Sequence, residues 1–240
     1  MDYVQVVKEA QEERKKLYGY GKVKYVPCEI WLKGDQINLW TYWQGFQLKD
    51  IDEKGVDIML VGQDWGNPER NKDVIQRIKE IRDGSKTAVY LATKSPTDRL
   101  VTEMFKVFGV DVTKRDPGIR LFFTNYSLGY RDESETGGMT KALMKQDKEH
   151  FDKLVLAIKP KIIICLGKIT YEMVSGEVTK GFVKALKEGN PFKASFPLDS
   201  SIPVYGVAHC GTRGLSNMGG TENMKKAWFK IAEEYRKMES

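Results

Sequence analysis

Four short, unbroken apolar runs constrain this chain most: Asp57–Val61, Arg120–Thr124, Lys161–Leu166 and Pro203–Ala208. They are too short for core helices and do not alternate with polar residues, so they read as strands covered on both faces, the setting of a parallel sheet. Helix-period patterns over Lys72–Asp83, Asp98–Phe108, Lys141–Ile158 and Lys168–Ser175 separate them, and Glu222–Lys237 closes the chain. Ser95-Pro96-Thr97-Asp98 supplies cap residues and a proline ahead of the stripe Leu100, Met104, Phe105 and Phe108, a helix start. Strand and helix in alternation predict a three-layer α/β domain, a central four-stranded parallel sheet flanked by helices.

Residues 1–56 read differently. A helix is expected over 2–18, with Val4, Val7 and Ala10 on one stripe. Trp31, Leu39, Trp40, Tyr42, Trp43 and Phe46 then gather around a Gly34-Asp35 turn. This aromatic stretch suits a cap packed on the main domain, 57–240; a base-stacking platform is the alternative. At 240 residues the whole is long enough to bury one core without staples.

Composition enters as exclusion. The longest apolar stretches, Ile58–Val61 and Ile162–Leu166, are strand-sized, so no membrane span is expected. The first residues carry charge where an export signal has its apolar core, so the expected location is the cytoplasm and the default state a monomer. Cys28, Cys165 and Cys210 are odd in number and far apart, which argues against a disulfide framework and a cysteine-based metal site, and no metal or cofactor is expected. The net charge of +6 suits a phosphate-binding surface only where the lysines cluster on one face.

The polar clusters that follow the strands carry the chemistry. They are Gly62-Gln63-Asp64-Trp65-Gly66-Asn67, Asn125-Tyr126-Ser127-Leu128-Gly129-Tyr130-Arg131, Gly167-Lys168-Ile169-Thr170 and His209-Cys210-Gly211-Thr212-Arg213-Gly214. Ligands of parallel α/β sheets bind outside the carboxyl ends of the strands, so the four clusters are expected to converge. The convergence offers a carboxylate (Asp64), an amide (Asn125), an imidazole (His209) and phosphate-compatible donors (Lys168, Thr170, Arg213). Taken singly, Asp64 and Asn125 equally suit turn formers. Cys210 lacks an evident base partner and reads as a bystander, and His150 sits mid-helix with no role. Neither the G-x-x-x-x-G-K-S/T phosphate loop, the G-x-G-x-x-G dinucleotide turn nor the zinc-deaminase signature occurs.

In their order along the chain these clusters resemble the uracil-DNA glycosylase superfamily. The likeness runs from about Asp57 to the final helix: GQD-x-G after the first strand, TN after the second, KPKIIICLG, and an Ala-His strand end. Gly62-Gln63-Asp64 is similar to the opening of the GQDPYH motif of the uracil-specific enzymes, and Gly66 to the last glycine of the GEAPG and GMNPG variants. The layout RLVTEMFKVFGVD, FFTNYSLGYR, KPKIIICLGKITYEMV is similar to the bacterial iron–sulfur branch, whose four cysteines are absent here. No cluster is carried over.

The resemblance implies a monofunctional DNA glycosylase that hydrolyses the N-glycosidic bond of a flipped uracil or related pyrimidine. Asp64 would hold and activate water and stabilise the oxocarbenium-like sugar. His209 would donate to the base O2, where charge develops, and needs to be neutral to do so. Asn125 would read the base edge with donor and acceptor on one plane, with Gly62, Gln63, Trp65 and Gly66 forming the rest of the base site. Ser127, Lys168, Thr170, Thr212 and Arg213 would meet phosphates, and Leu215 would fill the gap left by the flipped base. Gly66 stands where the uracil-specific enzymes carry a tyrosine that blocks the thymine methyl, and the base-stacking aromatic has no in-register match, Tyr90 lying displaced. A glycosylase for C5-modified pyrimidines is therefore an open alternative, as are a non-catalytic nucleic-acid-binding module and a small-nucleotide hydrolase.

Overall fold

A computed structural model of the chain describes residues 2–14, 25–27, 41–44, 51–65, 76, 79–80, 95–114, 116–131 and 139–239. The four apolar runs are its central strands: β3 (Val56–Gly62), β4 (Leu121–Asn125), β6 (Pro160–Leu166) and β8 (Asp199–Val207). They lie parallel, with Leu60 opposite Phe123 on one side and Ile164 on the other, and Ile164 opposite Tyr205. Every residue of β3 is buried, which is why its pattern never alternates.

The sheet is nonetheless six-stranded and mixed, in the order β2 (Thr41–Gln44), β4, β3, β6, β8, β7 (Phe192–Phe196), and not the four-stranded parallel sheet expected. β2 (Thr41–Gln44) pairs antiparallel with β4, so part of the aromatic stretch is an edge strand. β7 (Phe192–Phe196) pairs antiparallel with β8 across a register shift at Ser195/Phe196. Edge strands are only half covered, so β7 alternates Phe192, Ala194 and Phe196 with exposed Lys193 and Ser195, a weaker signal than a continuous run. A separate two-stranded ribbon joins β1 (Tyr25–Pro27) antiparallel to β5 (Gly129–Arg131).

Helices cover both faces, as β4 makes plain. Its neighbours Phe122 and Phe123 point to opposite sides. Phe122 meets Tyr3 of α1 (Tyr3–Arg14) edge-on at 6.0 Å, and Phe123 meets Phe105 of α3 (Pro96–Phe105) at 5.7 Å. Beside α1 lies α5 (Lys148–Ile158); beside α3 lies α9 (Thr221–Glu239), whose buried Trp228 stacks edge-on with Phe105 at 5.6 Å. Each such aromatic removes apolar surface worth about 2–3 kcal/mol on burial. The remaining helices are α2 (Ile51–Lys54), α4 (Lys141–Met144), α6 (Lys168–Ser175), α7 (Phe182–Lys187) and α8 (Thr212–Met218).

The single helix expected over Lys141–Ile158 is two helices with a 3₁₀ turn at Lys145–Asp147 between them. Asp147 is buried at the junction and accepts from the Leu128 backbone N–H at 3.0 Å, so its carboxylate serves a neighbouring loop. The Lys72–Asp83 helix and Cys28 lie mostly or wholly outside the described residues. Among the described residues no helix is long and apolar enough to cross a membrane.

Candidate functional site

The carboxyl ends of β3 and β4 are locked together. Gly62 and Asn125 are register partners, and a Cβ on Gly62 would stand 1.9 Å from the Asn125 Oδ1. Only glycine leaves room for that amide. The pairing continues past the strands: Tyr126 N–H donates to Gly62 O (2.9 Å), Ser127 N–H to Gln63 O (3.0 Å) and Trp65 N–H to Gly129 O (3.4 Å). The Gln63-Asp64-Trp65 turn is thus stitched to the loop after Asn125, and Asp64 and Asn125 are both partly buried.

The ends of β6 and β8 form the other half. Gly167 adopts φ 96°, a left-handed conformation open to glycine, and donates its N–H to Val207 O at 2.7 Å. A Cβ on Gly167 would lie 3.7 Å from the His209 Cβ, so α6 starts against the histidine. His209 Nδ1 accepts from the Gly211 N–H at 2.9 Å, which assigns the proton of the neutral ring to Nε2. Gly214 presses so closely on this turn that an added Cβ would fall 1.8 Å from the His209 carbonyl oxygen. The His209 side chain reaches the surface, yet the protein crowded around the ring excludes enough water to lower its pKa from 6.5. A neutral imidazole with an outward N–H donor is the result.

The two halves share one sheet edge, because β3 and β6 are neighbours with Val61 opposite Cys165. From Asn125 on β4 to His209 after β8 is three inter-strand steps, about 14 Å backbone to backbone. Asp64 follows the strand between them.

Other expected site residues fall less simply. Thr212 and Arg213 are exposed at the start of α8. Lys168 is half-exposed and shares Glu172 (3.6 Å) with Lys141 (2.6 Å). The side chains of Ser127 and Thr170, expected at phosphates, are buried, Ser127 Oγ facing Met139 Sδ at 3.9 Å. Leu215 is partly buried and packs against the core. Gly66 and Tyr90 lie outside the described residues. Burial pushes the Cys210 thiol up to about 12, so it has no thiolate to attack with. His150 is buried on α5, its Nε2 3.1 Å from Glu13. Among the described residues no group of three or more His, Cys, Asp or Glu could hold a metal ion.

Sequence reasoning missed the parts played by Gly211 and Gly214, which hold the histidine turn; the spacing G-T-R-G directly after His-Cys was their signal. It also missed that the Trp65 indole N–H is buried and has no hydrogen-bond acceptor among the described residues. Set against models of known protein families and against curated protein sequences, the chain matches none of them.

Proposed function

We propose that the protein is a monofunctional DNA glycosylase of the uracil-DNA glycosylase kind, hydrolysing the N-glycosidic bond of a flipped uracil or related pyrimidine. The observation that carries this reading is the pairing on one sheet edge of an amide seated on a glycine next to a carboxylate-bearing turn with a neutral histidine whose Nε2–H is free to donate. Four parallel strands in the order β4-β3-β6-β8 support the fold side of the reading.

Asn125 pairs with N3–H and O4 of the extruded base. Asp64 accepts a proton from water as its oxygen attacks C1′, and its negative charge stabilises the sugar cation as the C1′–N1 bond breaks. The bonding pair leaves with the base, and His209 Nε2–H donates to O2, where that charge collects. Solvent then protonates the released base. With no lysine at position 64 or 125, the chemistry is hydrolysis without a Schiff base or strand nicking.

The test is base release from fluorescent oligonucleotides carrying one uracil, with alkali to reveal abasic sites, for the natural chain and Asp64→Asn. The variant is expected to lose about 10²–10³-fold in rate while unfolding at the same temperature. Release equal to the natural chain overturns the role of Asp64. No release from uracil or any C5-modified pyrimidine, with DNA still bound, replaces the enzyme by a binding module.

A further inference from the structure

Several lysines of the described residues are neutralised locally. Lys141 meets Glu172, Lys148 meets Asp152, Lys153 meets Glu9 and Glu149, Lys161 meets Asp57 and Glu239, and Lys193 meets Glu234. One face gathers several cations outside such pairs. Helices α7, α8 and α9 pack on one another, and Lys184 and Lys187 of α7, Arg213 of α8, and Lys226 and Lys230 of α9 are all exposed. Among the described residues none of the five makes an ion pair within 4.0 Å, although Glu234 acts on Lys230 through space, Glu188 and Glu233 are exposed on the same stretch and Glu222 pairs with Lys225.

The backbone gathers these cations. Gly189, at φ 81°, lies against α9 so closely that a Cβ there would stand 3.3 Å from the Lys226 Cβ. Lys230 Nζ donates to Asn190 Oδ1 at 3.1 Å, which holds it beside the end of α7. Lys226, Phe229 and Lys230 share a face of α9 by their helical spacing, and Phe229 is 50% exposed between the two lysines. The result is an exposed, net basic patch with an aromatic ring at its centre. The face is continuous with the candidate site, since α8 begins directly after the His209–Gly211 turn.

We propose that the α7–α8–α9 face is a second nucleic-acid contact, a track for a single DNA strand leaving the His209 end of the site. The five cations neutralise its phosphates, and Phe229 stacks on a base. Basic grooves with interspersed aromatic rings bind single strands in this way without reading sequence. The inference rests on DNA being the substrate but requires no base release.

The experiment is binding of the full chain to a fluorescein-labelled single strand of about 30 nucleotides, by anisotropy across a salt series. Lys184→Gln, Lys187→Gln, Lys226→Gln and Lys230→Gln together are expected to weaken binding about 10- to 100-fold and make the slope of log K against log salt shallower by about 2–3. A control with the same charge removed from acid-paired lysines (Lys106, Lys114, Lys148 and Lys153 to Gln) is expected to shift the slope by less than about 1. An unchanged slope in the first variant, or an equal change in the control, overturns the track. Phe229→Ala is expected to weaken single-strand binding about 5- to 50-fold at an unchanged slope. If it binds as the natural chain does while the lysine variant loses duplex and single strand alike, the face is a duplex-backbone contact and the single-strand assignment fails. The lysine variant should still release base from an oligonucleotide of about 5 nucleotides, too short to reach α9. If the natural chain releases none but the salt effect persists, the proposed activity falls and the track stands.

Discussion

The two ends of the parallel strands are built in opposite ways. At the amino end, Asp57 accepts from the Arg120 backbone N–H (2.7 Å), Nε (3.1 Å) and Nη2 (2.8 Å), and lies 3.0 Å from Lys161 Nζ. Lys161 in turn reaches Glu239 at 2.7 Å. Burial alone would raise the Asp57 pKa, but the hydrogen bonds from Arg120 and Lys161 outweigh it and hold the carboxyl below its ordinary value. At the carboxyl end there are close-packed glycines, an amide and a neutral histidine. One end spends its polar groups on itself; the other keeps its best donors turned outward. Substitutions at the first should move stability and at the second function.

Asp57→Ala is the strongest way to break that comparison. It leaves Arg120 and Lys161 without their shared counter-charge in a half-buried place, which should cost about 2–4 kcal/mol. For a domain of this size the unfolding midpoint should drop by roughly 4–16 °C. Base release per folded molecule should be unchanged. Normal stability with lost activity would show that the amino end serves function after all.

Gly62→Ala probes the other end. Its Cβ would collide with the Asn125 amide, and overpacking of this kind costs about 1–3 kcal/mol. Activity should fall by at least about 10-fold, because the displaced amide no longer meets the base. A Gly62→Ala protein with natural activity would remove Asn125 from base recognition.

Glu172 sharpens the contrast, for it is an ion network standing behind the carboxyl end. Burial would raise its pKa, but Lys141 and the Thr179 N–H and hydroxyl bring it down from 4.5 to about 2. The ionised form is therefore favoured by folding. The gain is complete above about 4.5 and disappears as pH falls toward 2. Since Lys141 is half-exposed and screened, the loss across that window should be about 1–2 kcal/mol. Glu172→Gln should flatten it in acid denaturation curves; an unchanged acid limb would show that the pairing contributes nothing.

The parallel strands were legible because burial on both faces writes itself as unbroken Ile, Val and Phe, and strand ends then located Asp64, Asn125 and His209 by position. What was illegible depended on partners remote in sequence. Nothing near Asp147 announces that it will turn inward to the Leu128 N–H and split a helix. Thr170 occupies a phosphate-loop-like position in sequence, yet its hydroxyl is buried with no hydrogen-bond partner among the described residues. β7 was missed for a different reason, since half its residues face water and dilute the apolar signal.

The smallest expected effect concerns His209. Because protein crowded around the ring disfavours the charged form, its pKa lies below 6.5 in the folded chain. The unfolded chain consequently binds more protons just under that value, so stability declines slightly as pH falls below 6.5, and the decline stops once the folded histidine is itself protonated. The catalytic consequence follows from the same sign. The form that donates from Nε2 while accepting at Nδ1 from Gly211 is the neutral one, so base release should stay level from neutral pH down to about 6.5 and fall only below it. Nitrogen NMR of the imidazole should show a protonated Nε2 and a bare Nδ1 at neutral pH. A histidine that titrates above 6.5, or one protonated at Nδ1, would lack the neutral ring with an Nε2–H donor, and the contrast between an amino end whose polar groups are paired internally and a carboxyl end that presents a donor would collapse.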